Sequence, residues 1–498
     1  MASHQDRPIF TYQTRISVTP EQDQLLREYA RRFGHIERTL FADLQKGKAA
    51  NQLKSEYLSR FDITARQFNG LRIQLQGKIA SLKERIPVRI ENLKTKIRKA
   101  KKTIAELVKC FPGTNQLHRK RRRLARLEQG LKSLAADRKA GRVRLCFGSK
   151  KLFHAQFHLE ENGYQAHEEW RRDWTEARSR QFFVIGSKDE TSGCQGCVAM
   201  AEEDDSYSLR LRLPNGLAEK HVLVSGVRFV YGGEQLAESL VSGRALSYRF
   251  LHDEKGWRVF VSAEGTRVER ITDKRLGAIG IDINPDQLVL AAVDRCGNLV
   301  GGEHIPCVSH GKSRDQAKAI IGDAAKRVIA AAIRTSKPIV VERLDFEKKK
   351  AALENEGRLR ARMLSGFGYR QTLQNLKAAA FRAGVEVIEV NPAYTSTIGM
   401  VNYAERYGIS VHQGAAIAIA RRSLDLSERP ATRVARLAHG GDHVTFPLPE
   451  RNRGQHVWSL WSTVSRQIRV ALTAHLLLLR RTARSTPPAL SFQPQGAT

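Results

Sequence analysis

Two carboxylates sit where carboxylates are costly. The run Leu276-Gly-Ala-Ile-Gly-Ile-Asp282-Ile-Asn-Pro-Asp-Gln-Leu-Val-Leu-Ala-Ala-Val293 reads as a buried strand, a tight turn and a second strand returning beside it, with Asp282 in mid-run. A strand-end turn is the plain reading; if the aspartate is buried, it must be paired, protonated or bound to a cation. About sixty residues on, Lys337-Pro-Ile-Val-Val-Glu342-Arg-Leu-Asp345 repeats the theme, a short apolar strand ending in an acid. In a central sheet such strand ends can converge, and hard oxygen ligands there suit Mg²⁺ or Mn²⁺. Two such ions a few ångströms apart would activate water and stabilise the leaving oxygen of a phosphodiester.

The elements that must position these acids follow in order. An Ala- and Ile-rich helix precedes Glu342, and a third strand, Val385-Glu-Val-Ile-Glu-Val390, leads into Asn391-Pro-Ala-Tyr-Thr-Ser396. Ile409-Ser-Val-His412-Gln-Gly-Ala-Ala-Ile-Ala-Ile-Ala-Arg421 then reads as a helix of small residues, able to lie close against a sheet. A lone histidine on a helix is ordinarily a satisfied structural residue, and nothing in the spacing alone makes His412 more.

Gly280-Ile-Asp282-Ile-Asn284, Val341-Glu342-Arg-Leu344 and Glu389-Val-Asn391-Pro-Ala-Tyr-Thr-Ser396 resemble successive RuvC-type motifs of TnpB transposon nucleases and compact type V CRISPR effectors. More weakly, Arg142-Val-Arg-Leu-Cys-Phe-Gly-Ser149 and Leu209 to Pro214 resemble the wedge-domain portion of those proteins. The resemblance implies a multidomain α/β protein: an RNase H-like (RuvC) domain with a helical recognition lobe and a β-barrel wedge domain. It implies a wedge at 1–15 and 141–272, a recognition domain at 16–140, a nuclease domain at 273–425, and a basic C-terminal segment with a terminal helix at 426–498. The implied function is that of an RNA-guided DNA endonuclease of antiviral defence. Guide RNA would pair with double- or single-stranded target DNA, the protein would read a short flanking motif, and Asp282, Glu342 and His412 would be catalytic residues and metal ligands for Mg²⁺ or Mn²⁺. His412 falls where the family carries an aspartate; RuvC resolvases are similar in tolerating histidine there, and neutral imidazole binds a divalent ion with less negative charge than carboxylate. Asp442, in Gly440-Gly-Asp-His443, is a spare acid expected in a loop. The family's two zinc-holding cysteine pairs after Tyr-Thr-Ser are missing from Thr397 to Tyr407, so no zinc is expected there.

Charge points to the same class of partner. The 498 residues carry 84 Lys and Arg against 51 Asp and Glu, a formal charge of +33, spread from Arg27 to Arg484 rather than confined to a tail. Neutralising phosphates is the simplest use of such an excess. No apolar run approaches the ~20 residues of a membrane span and Met1-Ala2-Ser3-His4 is no signal peptide, so a membrane partner is not expected and a cytoplasmic location is. Six scattered cysteines argue for reduced thiols, and Cys194-Gln-Gly-Cys197 reads as a turn, since a zinc site would need a second pair.

Upstream, Pro20-Glu21-Gln22 opens an amphipathic helix with Leu25, Tyr29, Phe33 and Ile36 on one face. A seam from Ile86 through Ile90, Leu93, Ile97, Ile104 and Leu107, a break at Phe111-Pro-Gly113, and a second seam from Leu117 to Leu134 predict a helical hairpin. Lys94, Arg98, Lys101 and Lys102 line its first arm and Arg119, Lys120, Arg121, Arg122 and Arg123 its second. With few acidic partners in reach these charges would repel one another unless an anion lay along them, which makes them candidate nucleic-acid contacts. Lys348, Lys349 and Lys350 form a further candidate, beside a glycine-hinged stretch Ser365-Gly-Phe-Gly-Tyr369 that reads equally as a lid or a solvated loop. From Val143 to Arg270 short β-type runs predict a small barrel, with the arginines of Leu209-Arg-Leu-Arg-Leu213 on its exterior. Beyond residue 425 a Pro-, Arg- and Gly-rich stretch reads as poorly ordered, followed by a helix near Val457 to Arg480 whose Trp458 and Trp461 read as core.

Two rival functions stay open. His412 in place of an acid fits an RNA-guided protein that holds DNA with weak or no cleavage, and the acid pair also fits a non-guided RNase H-like transposase or resolvase. The number of copies per RNA is open as well.

Overall fold

The computed structural model describes residues 8–266, 268–343, 368–426, 428–430, 432–439, 442–450, 454 and 456–485. Lys348, Lys349, Lys350 and most of the 365–369 stretch lie outside them. The chain divides into two compact units, Met1–Arg267 and Val268–Thr498. Among the described residues no helix is long and apolar enough to cross a membrane.

In the first unit, strand β1 (Ile9–Arg15) leads to helix α1 (Pro20–Gln45). Thr19 caps that helix and exchanges hydrogen bonds with Gln22 in a capping box. Helices α2 (Ala50–Phe61), α3 (Ala65–Cys110) and α4 (Asn115–Lys139) follow. The hairpin is present but its first arm is longer than the seam suggests: α3 begins at Ala65 and runs through Pro87. Ile86, Ile90 and Ile97 are buried in it. Short α5 (Lys150–Ala155) and α6 (His167–Ala177) precede the β-rich part. There β2 (Gln181–Val184), β6 (Ser247–Asp253) and β7 (Gly256–Glu264) join β1 in an antiparallel sheet of order β1-β7-β6-β2. Strands β3 (Cys197–Ala201), β4 (Tyr207–Arg212) and β5 (His221–Val227) form a second sheet, and α7 (Gly233–Val241) follows. On β4, Leu209 and Leu211 are buried while Arg210 is exposed and Arg212 half-buried, the alternation that period two requires.

The second unit is built on one five-stranded sheet of order β10-β9-β8-β11-β12. Strands β8 (Ala278–Ile283), β9 (Gln287–Val293) and β10 (Leu299–Pro306) form an antiparallel meander. Helix α8 (Arg314–Thr335) then crosses to β11 (Ile339–Glu342), and α9 (Tyr369–Arg382) precedes β12 (Val387–Val390); both strands are parallel to β8. Side chains divide by parity: Ile279, Ile281, Ile339 and Val341 pack in a core with α8 and α9, and Ala278, Val340 and Val390 pack with the small residues of α11 (Val411–Ser423) on the opposite face.

The stretch after residue 425 is more structured than its composition suggests. Strands β13 (Val434–His439) and β14 (Asp442–Pro447) pair as a hairpin, because Val, Leu and Phe alternate with polar residues on both sides of a Gly-Gly step. Asp442 therefore starts a strand, opposite His439, instead of lying in a loop. Helix α12 (Val457–Ser485) is the last element among the described residues. Trp461 is core as expected, fully buried with its indole N–H donating to the Glu428 carbonyl at 2.9 Å, whereas Trp458 is 36% exposed and is not.

Candidate active site at the strand ends

Asp282 and Glu342 end neighbouring parallel strands. Val341 pairs with Ile281, so the next residue on each strand, Glu342 and Asp282, stands level and on the same face. That face is the one α11 covers. Gly280 makes the approach possible: a Cβ there would stand 1.9 Å from the Ala416 carbonyl oxygen and 2.7 Å from the Ala420 nitrogen. At Gly414 of the same helix an added Cβ would stand 2.5 Å from the Gly399 carbonyl oxygen. A helix carrying larger residues could not lie this near the sheet, which is what the Ala-rich sequence buys.

The close approach brings His412, in the first turn of α11, onto Asp282, with its Nδ1 2.9 Å from Oδ2. The Asp282 side chain is 13% exposed and the imidazole 48%. The hydrogen bond to Asp282, reinforced by the charges of Asp282 and Asp286, raises the His412 pKa above its ordinary value against the opposing effect of burial. Asn284 donates to the same Asp282 oxygen at 3.0 Å. Glu342 is held differently: the Thr395 hydroxyl donates to its Oε1 at 2.5 Å. Burial pushes the Tyr369 phenol up, and the negative charges of Glu342, Asp282 and Glu389 push it further, so both acids act on one buried hydroxyl. Glu389 itself faces the other way and pairs with Lys377 at 2.7 Å.

Thr395 owes its place to the Asn391-Pro-Ala-Tyr-Thr-Ser396 segment. Asn391 Oδ1 accepts from the Ala393 N–H at 2.9 Å, an Asx turn, and Tyr394 adopts the left-handed conformation with φ +62° just before short helix α10 (Thr395–Ile398). A bulky residue there is strained and persists only when its surroundings fix it. Arg422 does so from the last turn of α11, donating to the carbonyls of Asn391 and of Ala393, the latter at 2.9 Å. Between α10 and α11 lie a π-helical stretch, Gly399–Ala404, and a turn, Glu405–Tyr407. A buried cluster braces this region: Glu428 accepts from the Tyr403 hydroxyl at 2.7 Å and from Arg421 Nε at 3.1 Å.

The structure thus joins Asp282 directly to His412 and sets Glu342 level with Asp282 on the next strand. Asn284, Thr395 and Arg422 were not singled out by sequence reasoning, although Asn284 and Thr395 lie inside the motifs that carried it. Arg422 had no such signal, since a terminal helix arginine usually faces solvent. Among the described residues no three His, Cys, Asp or Glu side chains are grouped as around an ion. Two carboxylates and an imidazole on one face are nevertheless a donor set that hard divalent ions accept. In the first unit, Cys194 and Cys197 are buried free thiols joined by a turn hydrogen bond of 3.3 Å between their backbones.

The basic candidates fall on the α3–α4 hairpin. Lys94 and Lys101 pair with Glu91 at 3.7 Å and Glu128 at 3.0 Å. Arg98, Lys102, Arg119, Arg121, Arg122 and Arg123 are exposed and have no ion-pair partner among the described residues, and Lys120 is half-buried.

No protein-family model matches the sequence, and no curated protein matches it. Among solved structures the chain is similar to T. thermophilus RuvC in complex with Holliday junction substrate, at 20% identity over 31% of this chain and 98% of that one, with a TM-score of 0.22. It is also similar to a CRISPR-Cas12f ternary complex, at 11% identity over 66% of this chain and 82% of that one, with a TM-score of 0.22. A Cas12i–crRNA–dsDNA complex is similar at 8% identity over 71% of this chain and 55% of that one, with a TM-score of 0.28.

Proposed function

We propose that the second unit is an RNase H-like nuclease domain and that the protein is an RNA-guided DNA endonuclease. The observation that carries the reading is the level placement of Asp282 and Glu342 at the ends of adjacent parallel strands, on the face where α11 delivers His412. The sheet, three antiparallel strands followed by two parallel ones in the order β10-β9-β8-β11-β12, supports the reading by setting the two acid-bearing strands side by side. Asp282, Glu342 and His412 would hold Mg²⁺ or Mn²⁺, which would supply the activated water and the charge that stabilises the leaving oxygen. Thr395 and Asn284 orient the two carboxylates, and Arg422 fixes the segment that carries Thr395. The α3–α4 hairpin would serve the recognition lobe and the two sheets of the first unit the wedge, with guide RNA and target DNA as polyanionic partners of a +33 chain.

A second reading, guided DNA binding without cutting, draws on the Asp282–His412 contact. A protonated imidazole there neutralises the carboxylate that an ion would need, and no third donor is grouped with them among the described residues.

The test is to sequence RNA that copurifies with the protein and incubate the complex with matched DNA in Mg²⁺ and in EDTA. Discrete RNA with Mg²⁺-dependent cutting supports the nuclease, and Asp282→Ala is then expected to abolish cleavage while guide-dependent binding persists. Discrete RNA with tight binding and no cutting overturns the nuclease in favour of the second reading, and full sequence-specific activity without RNA overturns the guide.

A further inference from the structure

The first unit contains a cavity of about 500 Å³ between α1, α6 and the β6–β7 hairpin. Five arginines line it against two glutamates, an excess of positive charge around one open cavity. Two of the five are already committed. Arg27 is held by Asp23 at 2.7 Å through Nε, and its Nη2 stands 2.7 Å from His252 Nε2; Arg31 is forked by Glu28 at 2.6 and 2.7 Å. The other three, Arg171 and Arg172 on α6 and Arg180 just beyond it, are exposed and make no ion pair or side-chain hydrogen bond among the described residues. Guanidiniums gathered around one cavity repel one another and retain unused donors in a fork suited to phosphate oxygens.

The other walls narrow the ligand further. Trp257 is 2% exposed and belongs to the core beneath the cavity, its indole N–H donating to Asp23 Oδ1 at 2.7 Å. His252 lies edge-on to it at 5.3 Å between centroids. The half-buried His252 ring, held between Trp257 and Arg27, is the aromatic surface left for a base or sugar to meet. Glu168 and Glu176 at the same cavity offer acceptors for a ribose hydroxyl or a base amino group. The volume exceeds what orthophosphate alone would fill and falls in the ordinary range of small-molecule sites. A terminal phosphomonoester carries close to two charges where an internal diester carries one, and so gains more from three unpaired guanidiniums.

We propose that this cavity binds a nucleoside 5′-phosphate, at the end of an RNA or free, with Arg171, Arg172 and Arg180 taking the phosphate and His252 meeting the nucleoside. The site is separate from the strand-end acids, and its occupancy does not depend on whether they cleave.

The experiment therefore omits DNA and divalent ions. Full-length protein is titrated against a short 3′-labelled RNA bearing either a 5′-phosphate or a 5′-hydroxyl, in about 0.3 M salt to suppress non-specific backbone binding. The phosphorylated RNA is expected to bind about tenfold more tightly, about 1.4 kcal/mol. That preference should vanish in Arg171→Gln/Arg172→Gln and persist in Lys83→Gln/Arg85→Gln, which removes two exposed charges from α3. Arg180→Gln, expected to weaken the preference, stands in if the double variant does not fold. Displacement by AMP as strong as by the RNA supports the site and assigns it to free nucleotide; weaker displacement assigns it to an RNA end. Equal affinity for both RNAs in the unaltered protein, a preference that survives in the α6 variants, or equal displacement by orthophosphate or by a phosphopeptide would each overturn the proposal.

Discussion

Substituting Gly280 by alanine tests the packing on which the candidate site depends. The added Cβ would stand 1.9 Å from the Ala416 carbonyl oxygen, where real Cβ contacts essentially never fall below 3.0 Å. Helix and strand must therefore separate by about an ångström. Neither partner has a flexible side chain to yield, because the clash is with backbone on both sides, at Ala416 and at Ala420. Overpacking of this kind costs roughly 1–3 kcal/mol, which for a unit of this size lowers its melting temperature by roughly 2–12 °C. His412 lies one turn before Ala416, so the same displacement opens its 2.9 Å contact with Asp282. If the site is a nuclease centre, a displacement of that size costs on the order of a hundredfold in cleavage rate. The assay pairs a thermal melt of Gly280→Ala with single-turnover cleavage of matched DNA. Ala416→Gly should not rescue either value, since the obstacle is a carbonyl and not a methyl group. A Gly280→Ala protein that melts with the parent, or that Ala416→Gly restores, would show that α11 does not rest on β8 as described.

Three more outcomes follow from particular contacts. The His412 pKa is raised by its bond to Asp282, so that pairing stabilises the fold fully below the unfolded histidine value near 6.5 and the gain is lost as pH rises through the higher folded value; the difference in melting temperature between the parent and His412→Ala should shrink from pH 6 to pH 9, and any Mg²⁺ requirement for cleavage should fall over the same range because the ion no longer competes with a proton. Replacing Arg119, Arg121, Arg122 and Arg123 by glutamine should weaken RNA or DNA binding for all sequences alike and reduce the slope of log affinity against log salt by up to about 0.9 per phosphate contact removed; an unchanged slope would assign those charges to solvent. Glu428→Ala leaves Arg421 without its buried partner and the Tyr403 hydroxyl without an acceptor, a loss of roughly 3–5 kcal/mol visible by chemical denaturation; a change below about 1 kcal/mol would mean the cluster does not brace the unit.

What was legible in the sequence, and what was not, follows from how local each signal is. Asp282 interrupts a run of apolar residues and Glu342 ends one, and that pattern depends only on neighbouring residues, so both strands could be read directly. The small-residue helix was readable for the same reason. The pairing of His412 with Asp282 spans 130 residues and depends on Gly280 admitting the helix, a constraint no local window contains. Arg422 and Glu428 were missed because their partners are backbone carbonyls and a tyrosine contributed by other elements. The β13–β14 hairpin was obscured by composition: Arg, Gly and Pro dominate the stretch, and six-residue strands alternate too briefly to stand out from it. The start of α3 was hidden by Pro87, which breaks most helices but here lies within one that long-range packing of Phe68, Leu71 and Leu75 holds together.

The Asp282–His412 pair places the two leading readings in direct competition. An aspartate at the same position of α11 would stand against Asp282 with like charge, and a cation would be needed to hold the two together. Histidine removes that need: together with Asn284 it satisfies Asp282, and the fold at the strand ends becomes self-sufficient without an ion. A site stable in its empty state binds metal less avidly, because the ion must displace a proton and a hydrogen bond it would otherwise not meet. On this argument His412→Asp should make the second unit less stable in EDTA and more responsive to Mg²⁺, with melting rising as the ion is added. If instead the aspartate variant is as stable as the parent in EDTA and gains nothing from Mg²⁺, the strand-end acids do not form an ion site, and the case for cleavage fails while that for nucleic-acid binding by a +33 chain stands.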